Sequence, residues 1–167
     1  PNGIGKSTAV NLLSGSITTN LGDWENQSPD WDEVITTFPR GELRDYLALL
    51  SDEGVSIAVK PQYIDKLPKI FEGEVSELLE RVDDRGEIDR YSEAFGIEHI
   101  LSRKLGSLSG GELQRVALCA TLLKEADVYF FDEPSSYLDI YERMRMVRII
   151  QDLASMGKRV LVVEHDL

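Results

Sequence analysis

Three short strings in this chain combine residue types suited to handling phosphate. Asn2-Gly3-Ile4-Gly5-Lys6-Ser7-Thr8 fits the pattern G-x-x-x-x-G-K-[ST], except that the first glycine would fall one position before Pro1. Glycines let successive backbone N–H groups turn inward around phosphates, and a helix opening at Lys6 or Ser7 adds its positive dipole end. In such a loop Lys6 reaches the β- and γ-phosphates, and the Ser7 hydroxyl ligates magnesium. The second string, Val128-Tyr129-Phe130-Phe131-Asp132-Glu133, is an apolar run ending in two carboxylates. Asp132 is suited to hold magnesium through water. Glu133 is suited to orient and deprotonate an attacking water, a role worth about 10² to 10⁴ in rate. Taken alone, the pair reads equally well as two solvated acids closing a strand. The third string, Leu108-Ser109-Gly110-Gly111-Glu112-Leu113-Gln114-Arg115, opens a long helix and so makes an anion-binding end. A plain helix cap explains Ser109 and its glycines just as well.

The elements that must position these strings follow from periodicity and breakers. The glycine turn runs into Ala9, Val10, Leu12 and Leu13 as a helix, with Gly15 where it would end. Helices are expected over Trp31 to Thr37 and Glu42 to Leu50, interrupted by Phe38-Pro39-Arg40-Gly41. The β-branched run Val55 to Val59 reads as a strand, with helical pieces at Val75 to Val82 and Asp89 to Phe95. A longer helix spans Gly111 to Leu123, then a buried strand runs from Val128 to Phe131. From Ile140 to Ser155, Met144, Val147, Ile150 and Leu153 recur three apart, giving a helix with one apolar face that Gly157 stops. Arg159 to Val163 is a last strand, followed by Glu164-His165-Asp166. Strands alternating with helices imply an α/β fold with a mostly parallel sheet.

Composition bounds the function. The 167 residues, 42% of them hydrophobic, suffice for one domain with a core. No run reaches the roughly 20 apolar residues of a membrane span, and the start lacks a signal-peptide layout, so the piece reads as soluble. One cysteine, Cys119, excludes an internal disulfide or a cysteine-built cluster, and reads as a small buried hydrophobe. The net charge of -12 argues against a broad surface gripping nucleic acid, so any such contact must be local.

Four features in order, the phosphate loop, Gln62, the Ser-Gly-Gly turn and the Asp-Glu strand with a following histidine, resemble the ATP-binding domain of the ABC superfamily over nearly the whole chain. The resemblance implies a P-loop NTPase fold of ABC type, with flanking helices and a helical subdomain, about residues 64–124, carrying the signature. It implies ATP and Mg2+ as cofactors. It makes Gln62 the glutamine-loop residue near magnesium and Ser109, Gly110, Gly111 and Glu112 the signature. Asp139 then ends the segment crossing to a partner domain, and His165 is the switch histidine touching the γ-phosphate. His99 has no such role and is expected at the surface. In this superfamily two domains clamp two ATP molecules, so a second ABC ATP-binding domain is the implied partner, and the isolated piece is expected to bind ATP weakly and hydrolyse it poorly.

Within the superfamily, Asp132-Glu133-Pro134-Ser135-Ser136-Tyr137-Leu138-Asp139, Lys60-Pro61-Gln62-Tyr63 and Val163-Glu164-His165-Asp166-Leu167 resemble the RNase L inhibitor family. By this resemblance the chain is part of a first ATP-binding domain, cut at both ends. Residues 30–50, with Phe38-Pro39-Arg40-Gly41-Glu42-Leu43, are its helix-loop-helix insertion. The implied function is cytoplasmic ribosome recycling after termination, with the small ribosomal subunit and release-factor machinery as partners and no membrane. Arg40 and Arg44 are the insertion's candidates for phosphate contact. Iron-sulfur clusters, also implied, are expected only upstream of this chain. The alternative is the ATPase subunit of an ABC membrane transporter.

Overall fold

A computed structural model describes residues 6–19, 21, 29–52 and 54–164, with side chains from Thr8 onward. The chain divides into two compact units, Pro1–Ile57 and Ala58–Leu167.

In the first unit, helix α1 covers Lys6–Leu13, α2 Trp31–Thr37 and α3 Glu42–Ser51. The helix expected after the glycine turn therefore opens at Lys6, and Gly15 follows its end with φ 70. Asp30 starts α2 by accepting from the Glu33 backbone N–H at 2.9 Å. Phe38 stops it in extended geometry, as a residue preceding proline favours. Helices α2 and α3 pair, each contributing one fully buried side chain, Val34 and Leu47. Arg44 donates to the Phe38 carbonyl across the connection. The Tyr46 hydroxyl donates to the Leu13 carbonyl at 2.6 Å, tying α3 to the end of α1.

The second unit is built on strands β1 (Ile57–Lys60, which enters this unit at Ala58), β2 (Val128–Asp132) and β3 (Arg159–Val163), in spatial order β1-β2-β3. Strands β2 and β3 are parallel, in register from Val128 beside Arg159 to Asp132 beside Val163. Helices α4 (Leu67–Ile70), α5 (Val75–Val82), α6 (Ile88–Phe95) and α7 (Gly110–Leu122) come between β1 and β2. Helix α8 (Ile140–Ser155) carries the chain from the end of β2 back to the start of β3, the crossover that parallel pairing requires. Every residue of β2 is buried, which is why its sequence is a continuous bulky run rather than an alternation. Tyr129 and Phe131, two apart on one face, stack with ring centroids 6.4 Å apart. They join Leu79, Phe95, Leu118 and Leu122 from the helices in one core. Cys119 lies fully inside it, where burial pushes its thiol up to about 12. His99 is exposed, as expected.

Two expectations are corrected. The inward face of α8 is set by Met146 and Leu153, with Ile149 and Ile150 packed beside them. Met144 and Val147 instead point outward. A spacing of three drifts steadily around a helix of 3.6 residues per turn, so Met144, Val147, Ile150 and Leu153 cannot share one face. Strand β1 begins at Ile57, not Val55, and continues through Lys60, which shares the inward face of Ala58 two residues before it. Gly157, with φ 81, closes α8: its own N–H bonds the Ala154 carbonyl and the Lys158 N–H bonds that of Leu153.

Candidate active site at the carboxyl ends of β1 and β2

Strands β1 and β2 end side by side, and the residues just beyond them converge. The Gln62 side-chain amide donates to Glu133 Oε1 at 2.8 Å. The Glu133 N–H still bonds the Val163 carbonyl at 2.8 Å, one step past the strand, and then the chain turns. Glu133 takes φ 48, a left-handed conformation unusual for a residue with a side chain. Asp132, the last strand residue, is 6% exposed. Asp132 and Glu133 are thus consecutive at the carboxyl end of β2, where an α/β sheet meets its ligand.

Two fully buried side chains support this turn from below. Lys60 donates through Nζ to the Asp132 carbonyl at 3.0 Å and the Glu133 carbonyl at 3.3 Å. Burial pushes its ammonium down to about 8, with the carboxylates of Asp132, Glu164 and Glu133 pulling the other way. Gln114, from α7, donates to the Glu133 carbonyl at 3.1 Å and the Pro134 carbonyl at 2.7 Å. On the far side Glu164 accepts from the Ser135 N–H at 2.8 Å.

The Ser-Gly-Gly turn is a true capping box. The Ser109 N–H and hydroxyl each lie 2.7 Å from Glu112 Oε2, and Ser109 Oγ accepts from the Glu112 N–H. These bonds from Ser109, with the Arg103 guanidinium at 2.9 Å, hold the Glu112 carboxyl below its ordinary range. The N–H groups of Gly110 and Gly111 occupy the first turn, where no carbonyl within the helix is available to them. Both glycines lie under Tyr137: a Cβ on Gly110 would stand 3.3 Å from its ring, and one on Gly111 would stand 3.1 Å from its carbonyl oxygen. Gln62, Tyr63, Leu113, Glu133 and Tyr137 line an open cavity of about 440 Å³.

Asp139 is exposed and caps α8, accepting from the Glu142 N–H at 2.9 Å. Glu142 in turn pairs with Arg115 of α7. Glu133 and Gln62 thus line the cavity with Gly110, and Asp132 precedes Glu133 at the buried end of β2, while Asp139 is linked to Arg115 of α7 through Glu142. Asn2, Gly3, Ile4, Gly5 and His165 lie outside the described residues, as do the side chains of Lys6 and Ser7; Thr8 is exposed on α1. The sequence reading gave no role to Lys60 or Gln114. Their signals were the two-residue spacing that puts Lys60 on the same inward face as Ala58, and the place of Gln114 one turn past Gly110 on the buried face of α7.

The donors present suit a hard divalent cation: two carboxylates and an amide oxygen type at one edge. Among the described residues no group of three or more His, Cys, Asp or Glu forms a metal cage. That composition fits magnesium, which is held by one or two carboxylates together with substrate phosphates rather than by an all-protein shell.

A family model described as "ABC transporter" matches residues 1–136. The chain belongs to the ABC family. A solved structure titled "RNase-L Inhibitor" is 49% identical over 99% of this chain and 32% of its own, with a TM-score of 0.94. The archaeal ribosome recycling factor, solved in complex with archaeal ribosomal stalk protein aP1, is 48% identical over 99% of this chain and 32% of its own, also with a TM-score of 0.94. "Translation initiation factor RLI1" of Chaetomium thermophilum is 44% identical over 99% of this chain and 28% of its own. The chain thus spans just over a quarter of the length of the curated relatives it matches. An ABC domain binds ATP with Mg2+, and the fold is the ABC P-loop type. Among the described residues no helix is long and apolar enough to cross a membrane.

Proposed function

We propose that this chain is the first ATP-binding domain of a twin-site ATPase that recycles ribosomes after translation termination in the cytoplasm. The observation that carries the reading is the similarity, at 48% identity over 99% of the chain, to the archaeal ribosome recycling factor. Asn2 to Thr8 cradle the phosphates, with Lys6 on the β- and γ-phosphates and Ser7, Gln62 and Asp132 around magnesium. Bound magnesium supplies charge neutralisation on the phosphates. Glu133 orients and deprotonates water, aided by its contact with Gln62 at 2.8 Å, and His165 touches the γ-phosphate. Ser109, Gly110, Gly111 and Glu112 face the nucleotide of a second ABC domain, and Asp139 ends the segment between the two. Lys6 and Ser109 therefore serve different nucleotides, and this chain alone hydrolyses ATP poorly. The helix-loop-helix of residues 30–50 meets the small ribosomal subunit, with release-factor machinery as a further partner. The iron-sulfur clusters belong outside this chain, whose one cysteine is buried.

The test is co-sedimentation of the intact protein with small ribosomal subunits in a non-hydrolysable ATP analogue. Pelleting that depends on nucleotide and is lost in Lys6→Ala and on deletion of residues 30–50 is expected. Absence of pelleting in every nucleotide state would overturn the ribosomal assignment in favour of a transporter-type ATPase.

A further inference from the structure

A lysine with no exposed surface, placed where its ammonium meets two consecutive backbone carbonyls, is an unusual way to end a strand. Burying such a group is costly unless its donors are matched. In extended chain, successive carbonyls point to opposite sides, so one nitrogen cannot serve both. Lys60 Nζ reaches the carbonyls of Asp132 and Glu133 together, at 3.0 and 3.3 Å, because β2 ends at Asp132 and Glu133 turns with φ 48. Two carbonyls converging on one point present negative potential from both oxygens, which an ammonium with three donors satisfies more strongly than a neutral amide would. Gln114 Nε2 donates to the same Glu133 carbonyl from α7, and the Ser136 N–H reaches it at 3.4 Å, so two buried side chains and a backbone donor converge on that oxygen.

We propose that Lys60 is a positioning residue for Glu133: its buried ammonium gathers the Asp132 and Glu133 carbonyls, fixes the left-handed turn between them, and so aims the Glu133 carboxylate at Gln62 and the cavity. The proposal rests on the reading of Glu133 as the group that activates water. Lys60 and Gln62 lie two residues apart on one segment. That segment therefore grips Glu133 twice, at its backbone through Lys60 and at its carboxylate through Gln62. Gln114 ties the same carbonyl to the helix that Ser109 opens. Glu133 is thereby held by the glutamine segment and the signature helix together. Neither Lys60 nor Gln114 touches substrate in this scheme; each acts through the backbone of Glu133.

The experiment is a double-mutant cycle in the intact protein, with Lys60→Met, Glu133→Gln and the pair, reading kcat, KM for ATP and affinity for a non-hydrolysable ATP analogue. Misplacing one reacting group typically costs about 10²-fold. Lys60→Met is therefore expected to lower kcat by about 10- to 100-fold while KM and analogue affinity stay within a factor of about two, the pattern of a lost transition-state interaction. In the Glu133→Gln background it should add almost nothing, because the group it positions is already gone. Lys60→Arg, which keeps charge and donors, should restore part of the rate. Unchanged kcat in Lys60→Met overturns the proposal. So does an equal further loss in the Glu133→Gln background, which would mark general damage. If Glu133→Gln alone leaves kcat intact, the reading of Glu133 fails and the positioning role with it. Where Lys60→Met does not fold, Lys60→Leu enters the same cycle under the same criteria.

Discussion

Tyr137 should be more stable as glycine than as alanine, the reverse of the usual order. It occupies φ 63 in the connection between β2 and α8, yet is 73% exposed, so its side chain contributes little burial. Holding an L-residue in the left-handed region costs about 1 to 2 kcal/mol. Glycine avoids that cost but loses about 0.5 to 1 kcal/mol to chain entropy relative to alanine. The ring contact with Gly110 disappears in both variants and cancels in the comparison. The midpoints of the two terms leave Tyr137→Gly ahead of Tyr137→Ala by about 0.75 kcal/mol, or about three- to fourfold in the local opening equilibrium. Hydrogen exchange of the β2 and α7 amides in the intact protein reads that equilibrium directly, and avoids assuming two-state unfolding of a multidomain chain. Turnover is expected to move the other way, since the stiff turn also fixes Glu133. Equal or greater protection in Tyr137→Ala would refute the assignment of strain to this turn.

Other outcomes follow from single contacts. Gln62→Glu would place a second carboxylate against Glu133 across the present 2.8 Å bond. Repulsion and the loss of the amide donor should lower kcat at neutral pH about tenfold; an unchanged kcat would separate Gln62 from Glu133. Glu112→Gln should lower stability only where the native carboxylate is charged. The folded value is depressed, chiefly by Ser109, so the stabilisation is present above the unfolded pKa of about 4.3 and is lost as pH falls through the folded one. The gap between wild type and variant, followed by denaturation from pH 7 to 2, should close at the acid end. Cys119 is buried and its thiol is pushed up to about 12, so a thiol reagent at pH 8 should label it only after unfolding. Rapid labelling of native protein would contradict its place in the core.

Most element boundaries were legible because their causes are local. Trp31–Thr37 is bracketed by the Asp30 cap and the Phe38-Pro39 stop, and Ile140–Ser155 by Asp139 and Gly157. The all-apolar run of β2 announced burial on both faces. Errors arose where a local pattern has two solutions. An apolar residue every third position suggests a face until 3.6-residue geometry spreads it, and Met146, outside that spacing, took the inward place instead of Met144. The β-branched run suggested a strand from Val55 to Val59, whereas β1 takes in Lys60, on the inward face with Ala58. The short helix Leu67–Ile70 has too few residues to show a period at all.

The candidate site was legible as a set of strings, because each string holds residues whose chemistry is recognisable by type. What strings cannot show is which groups support them. The turn from Asp132 to Asp139 is reached by Lys60 from β1, Gln114 from α7, Glu164 from beyond β3 and Arg143 from α8, the last through a 3.1 Å bond to the Leu138 carbonyl. All four bond the turn through its backbone, so nothing in the turn's own side chains requires them. Only sequence separations of 72 residues for Lys60 and 29 for Glu164, closed by the sheet, bring them together. Backbone-directed contacts constrain the shape of the turn without specifying its side chains, and this is why Glu133 can keep a left-handed backbone that its residue type does not favour. The strain is local, but the groups that hold it are spread across the ends of two other strands and two helices. Loss of any one of them should be felt first in the aim of Glu133, and only then in the stability of the fold.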